Sequence, residues 1–184
     1  MIDDELWAKA AVALSGDQNI LLRFQHPAVR EFSGLAHKIG GGNVIDIDPS
    51  KSDMGMVEIL CHECAHIRDG HVESFAALPP GKVLDIDTSG PPNSVSLGVG
   101  AWSYKNAPLN VRAEYEAEMQ AVAWLNYAEK HAGEWSASRD EAERYLLALA
   151  TWKNTEPTEI EAWKNKQLQL SDKLQNFWER KGLK

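Results

Sequence analysis

The sequence predicts an α+β fold: a small antiparallel sheet packed beside two long helices, with additional C-terminal helices. Three observations predict it. Two short apolar runs, Ile20 to Phe24 and Val44-Ile45-Asp46-Ile47-Asp48, have strand length, and the second alternates apolar with acidic residues. Several longer stretches space their apolar residues three and four apart, as amphipathic helices do. The chain has 184 residues, 43% of them hydrophobic, enough for one domain with a sizeable core. That core is expected over about 20–130, and a helical C-terminal part over about 138–184.

Leu6, Trp7, Ala10, Ala11 and Leu14 give residues 4–14 helical spacing, and Ser15-Gly16 ends the helix. His26-Pro27 breaks the chain after the first strand. From Val29 to Lys38 periodicity permits a helix after Pro27 and does not exclude a strand. Gly40-Gly41-Gly42-Asn43 is a turn, and Pro49 ends the strand that follows it. Ser52 or Asp53 caps the next helix, where Met54, Val57, Ile59, Leu60 and Ala65 surround a polar face. Pro79-Pro80-Gly81 closes that segment, and 79–111 reads as a long irregular connection. Arg112 to Leu125 is rich in Ala, Glu and Leu, a strong helix former with Ala117, Ala121 and Leu125 on its apolar face. Gly133 interrupts it. Ser138-x-x-Glu141 is a capping box opening a helix through Tyr145, Leu146, Leu149 and Trp152. Thr155-Glu156-Pro157 breaks the chain again, and Thr158 caps a last helix to about Arg180. Its stripe of Ile160, Trp163, Leu170, Leu174, Phe177 and Trp178 packs on its own domain, or else forms a homodimer seam or a surface for a partner.

Composition excludes several classes. A formal net charge of −8 and no Lys/Arg cluster argue against general nucleic-acid binding. No apolar run approaches membrane-spanning length. The start, Met1-Ile2-Asp3-Asp4-Glu5, is acidic and lacks the basic opening of a signal peptide, so a cytoplasmic location is expected. Cys61 and Cys64 form a C-x-x-C with no second pair. On a helix they lie about 60° apart and roughly opposite His62 and His66, as small buried apolar residues would.

The chemistry concentrates at His62-Glu63-Cys64-Ala65-His66, an H-E-x-x-H pattern. Helix positions four apart lie about 40° apart around the axis and about 6 Å along it, so His62 and His66 can offer both imidazoles to one metal ion. Glu63 sits about 100° round from His62. That suits a general base acting on a water whose pKa zinc lowers towards ~7. Catalytic Zn2+ takes three protein ligands and keeps one position open. Glu114 is the candidate third ligand. Glu118, one turn on, would accept a hydrogen bond from a ligand histidine and set its tautomer. Glu116 points elsewhere and reads as solvated. His71 is the runner-up ligand, or a supporting group near substrate. A metzincin would need glycine and a third histidine where Asp69 and Val72 stand, and Gly70 and His71 are out of that register by one. Tyr104 or Tyr115 could donate a hydrogen bond to an oxyanion.

His62-Glu63-x-x-His66-x-x-x-Gly70-His71, followed by Glu114-x-x-Ala117-Glu118-x-x-Ala121-x-x-x-Leu125, resembles the ImmA/IrrE and ArdC group of metallopeptidases. Ser33-Gly34-Leu35-Ala36 through Gly40-Gly41-Gly42-Asn43-Val44-Ile45-Asp46-Ile47 is also similar to their strand, turn and strand. The resemblance covers roughly 32–72 and 112–126. It implies a strand from about Phe32, a glutamate third ligand, and a zincin-type pair of ligand helices beside the sheet. It also implies a regulatory or DNA-associated protein substrate, such as a phage-type repressor or an anti-restriction target. The chain departs from the group in Cys61 and Cys64, in the long connection between the two ligand segments, and in showing no helix-turn-helix or single-strand-binding domain. The expected function is zinc-dependent hydrolysis of a peptide bond in a protein or peptide, with Glu63 as the base. The alternative is an inactive zinc-binding interaction module or anti-defence factor. Hydrolysis of a non-peptide bond ranks last.

Overall fold

The fold is that of a computed structural model, in which residues 2–28, 32–72 and 109–153 are described. In chain order these form α1 (Asp4–Ser15), β1 (Leu21–Phe24), β2 (Gly34–Ile39), β3 (Gly42–Ile47), α2 (Asp53–Arg68), α3 (Leu109–Ala132) and α4 (Glu141–Ala150). The chain is α+β. The expected helix over 158–180 and its homodimer seam lie outside the described residues. So do Tyr104, most of the 79–111 connection and the side chain of Tyr115.

Helix α1 starts where the Asp3 carboxylate accepts from Glu5 N–H at 3.0 Å, and ends where Gly16 takes φ +76° and returns its N–H to Val12 O. Trp7, Ala10, Ala11 and Leu14 form its buried face, and Trp7 meets Phe24 of β1 edge to face at 5.4 Å.

The sheet has three strands in the order β1-β3-β2. Strands β2 and β3 form an antiparallel hairpin with Ala36 opposite Ile45. Its two-residue turn, Gly40-Gly41, has φ of +57° and +87°. A two-residue hairpin turn that fits the strand twist needs positive φ at both positions, which glycine supplies without strain. Strand β1, however, runs parallel to β3, with Leu22 opposite Ile45. The sheet is therefore mixed, not the antiparallel sheet expected. Alternation of apolar residues specifies which face of a strand is buried, not the direction of its neighbour. Here the connection from β1 to β3 contains β2 itself, long enough for the chain to return and pair in parallel.

Ile45 and Ile47 of β3 are fully buried. Asp46 between them is 2% exposed and is satisfied by Arg23 of β1, at 2.7 Å and 2.9 Å, and by His37 of β2, at 2.9 Å.

Ser52, not Asp53, caps α2: its hydroxyl accepts from Gly55 N–H at 3.2 Å. Val57, Leu60, Cys61, Cys64 and Ala65 are fully buried, and the helix packs on α1, α3, α4 and the β2–β3 hairpin. Both cysteines are free, and burial raises their thiol pKa values, so they stay uncharged in the core. Helix α3 turns Ala117, Ala121, Trp124 and Ala128 into the core. Its alanines let α2 come near, because the distance between packed helices is set by the side chains at the contact. Helix α4 closes the core with Leu146 and Leu149, and its cap is Asp140, whose carboxylate accepts from Ala142 N–H at 2.9 Å. The expected cap, Ser138, instead meets Ser136 Oγ at 2.8 Å. Residues of all four helices and the sheet share one hydrophobic cluster. Among the described residues no helix is long and apolar enough to cross a membrane.

Candidate metal centre

Helix α2 presents His62 and His66 one turn apart on its α3-facing side, with their Nε2 atoms 3.1 Å from each other. Helix α3 supplies Glu114. Its Oε2 is 3.1 Å from His62 Nε2 and its Oε1 is 3.3 Å from His66 Nε2. Metal–ligand bonds of about 2.0–2.1 Å in a tetrahedron place ligand atoms about 3.3 Å apart. The two imidazole nitrogens stand close to that edge from each other, and the Glu114 carboxylate faces both, one oxygen to each, so the residues fit a small divalent cation and stand as a possible metal-binding group. The His66 side chain is 4% exposed, while those of His62 and Glu114 are 23% and 20% exposed. The group therefore sits at the floor of an opening rather than in a sealed core, as a site with one free position requires.

Glu118 lies one turn beyond Glu114. Its Oε2 is 3.0 Å from His62 Nδ1, and that contact keeps the Nδ1 proton on the side away from the cluster. Burial works against a charged His62. Its hydrogen bonds to Glu114 and Glu118, with Glu63 close by, outweigh that and push its pKa up to about 10. Burial likewise opposes the Glu114 carboxylate, but hydrogen bonds with His62 and His66 hold its pKa down to about 2. The hydrogen bond to His62 also lowers Glu118, against a smaller effect of burial.

Glu63 points towards β2. Its Oε2 accepts the Ala36 N–H at 2.7 Å, and burial raises its pKa against the pull of His62 and His66. Strand β2 is an edge strand, and this N–H faces away from β3, so the catalytic candidate is anchored to the free edge of the sheet. Close approach of strand and helix depends on Gly34. A Cβ there would sit 2.8 Å from Glu63 Oε1 and overlap Ile59 Cγ2. Together with Phe32, Leu35 and Ala36, these groups line a cleft of about 240 Å³ with His62, Glu63, His66 and Glu114 on its floor. The sequence named Glu63 but not its backbone partner; the glycine opening β2 was the available sign that something packs close there.

His71 lies off this cluster. Its Nε2 faces Glu116 Oε2 at 3.4 Å, and its ring stands 5.8 Å from that of His66. Glu116, expected to be solvated, is thus half-buried against His71. Asp69 is the C-cap of α2, and Gly70, at φ +73°, turns the chain so that His71 N–H reaches His66 O at 2.9 Å. No protein-family model, no curated protein and no solved structure matches the chain.

Proposed function

We propose that this protein is a zinc-dependent peptidase. The observation that carries the reading is the meeting of His62 and His66 with the Glu114 carboxylate, which faces their Nε2 atoms at 3.1 Å and 3.3 Å, in a cleft that also holds the Glu63 carboxyl. Two imidazoles and a carboxylate are a donor set suited to zinc. On this reading α2 and α3 are a zincin-type pair of ligand helices, and the resemblance to the ImmA/IrrE and ArdC metallopeptidases supports it. When bound, zinc would supply Lewis acidity towards a peptide carbonyl and lower the pKa of water in the cleft.

The chain's own residues supply the rest. His62, His66 and Glu114 would hold the cation. Glu118 keeps the His62 proton on Nδ1, so that Nε2 offers its lone pair inward. Glu63 takes a proton from the attacking water and returns it to the leaving amine. A carboxyl whose pKa is raised by burial is better matched to both transfers near neutral pH than a solvated one. The substrate class, a regulatory or DNA-associated protein of a phage or mobile element, comes from the resemblance alone.

Metal content and turnover test this together. Purified wild type, supplied with zinc, should hold about one ion per chain, and Glu114→Ala should lose or greatly weaken it. Glu63→Gln should keep the zinc and lose activity by about 10²–10⁴-fold. Wild type that takes up no zinc sinks the enzyme reading. Glu63→Gln that keeps both zinc and biological function favours the interaction module instead.

A further inference from the structure

We propose that Asp69, His71 and Glu116 form a second divalent-cation site at the C-terminal end of α2, beside the first, with the His71 ring 5.8 Å from that of His66. One oxygen or nitrogen from each lies within 4.8 Å of the others, a compact set of two carboxylates and one imidazole. The set is assembled by local geometry. Helix α2 stops at Asp69, and the left-handed Gly70 swings His71 back over the helix end, where its N–H caps His66 O. Glu116 arrives from α3. It is about 200° around that helix from Glu114.

Two features favour a cation over a plain ion pair. First, His71 Nε2 and Glu116 Oε2 are 3.4 Å apart, long for a charge-assisted hydrogen bond but ordinary for two ligands of one metal. Second, the group gathers at the C-terminal end of α2, where the helix dipole adds negative potential. Asp69 is exposed, while His71 and Glu116 are half-buried, so water can fill the remaining positions of an octahedral ion. Oxygen-rich coordination with one imidazole and several waters suits Mn2+, which the harder, more open site would take more readily than the His-rich one.

Mn2+ is the probe. The chelator-treated 184-residue chain is titrated with Mn2+ after one equivalent of zinc, and free Mn2+ is read from its six-line electron paramagnetic resonance signal. One Mn2+ should bind per chain. Asp69→Asn and Glu116→Gln should each weaken it at least about tenfold. Asp69 is exposed and Glu116 only half-buried, so circular dichroism should show both variants folded. Glu114→Ala, which breaks the first site, should keep the Mn2+ site. The proposal is overturned if wild type binds no Mn2+ at millimolar concentration, if both ligand substitutions leave the affinity unchanged, or if Glu114→Ala abolishes binding.

Discussion

At His62 two carboxylates hold one ring, and that makes the metal-free protein sensitive to pH in a predictable sense. The His62 pKa is raised from its ordinary 6.5 to about 10. Its contribution to the metal-free fold is fully present below pH 6.5 and is lost as pH rises through about 10. The Glu114 pKa is lowered from 4.5 to about 2, so its contribution is present above pH 4.5 and is lost as pH falls through about 2. Both are complete only between pH 4.5 and 6.5, and the melting temperature of chelator-treated protein should decline on the alkaline side of that window. A cation needs the His62 Nε2 lone pair, so metal uptake at neutral pH should release about one proton. Titration calorimetry in two buffers of different ionisation heat measures it, and a buffer-independent enthalpy would contradict the charge state argued for His62. Much of this cluster was legible because a helix fixes residue spacing: His62, His66, Glu114 and Glu118 were all nameable from steps of four. Glu116 was misread for a related reason. Its partner, His71, is placed by a left-handed glycine beyond the helix end, which no helical period describes.

Among the elements, the helices could be read more closely than the sheet. Apolar residues at steps of three and four identified α1, α2 and α3, and glycine marked the ends of α1 and α3. Start signals were ambiguous where two capping residues lie close together. Ser138 satisfies the capping-box pattern with Glu141, yet the chain enters α4 at Asp140. Asp140→Ala should therefore cost about 1 kcal/mol in chemical denaturation, and Ser138→Ala only a fraction of that. Equal losses would put the cap back at Ser138. The direction of β1 was not legible at all, because parallel and antiparallel neighbours make the same demand on a short apolar run. Nor did the alternating pattern of β3 reveal that its central aspartate is buried. Asp46 is held there by Arg23 and His37, which come from two other strands and are adjacent only once the sheet has formed.

For the molecule as a whole, the His62–His66–Glu114 cluster is a long-range tie. It joins His62 to Glu114 across 52 positions of sequence, and so links the strand–helix unit to α3 and through it to α4. A cation that binds only the folded form stabilises it by about 2.7 kcal/mol at a hundredfold excess over its Kd. In a protein of this size that is a rise in melting temperature of roughly 5–10 °C. Scanning calorimetry with and without zinc checks it. A wild type indifferent to zinc, or a Glu114→Ala variant that gains as much as wild type, would break the link between the cluster and the fold.

The two cysteines add a use of their own. Cys61 and Cys64 flank His62 and Glu63 on the same helix, are wholly shielded from solvent, and are kept as neutral thiols by burial. An alkylating reagent can reach them only when α2 leaves its seat, so their labelling rate is a clock for the opening of the helix that carries His62 and His66. If the cation ties that helix to α3, zinc should slow the clock. The ratio of rates with and without metal then reports the strength of the tie in the native protein, with no substrate in hand.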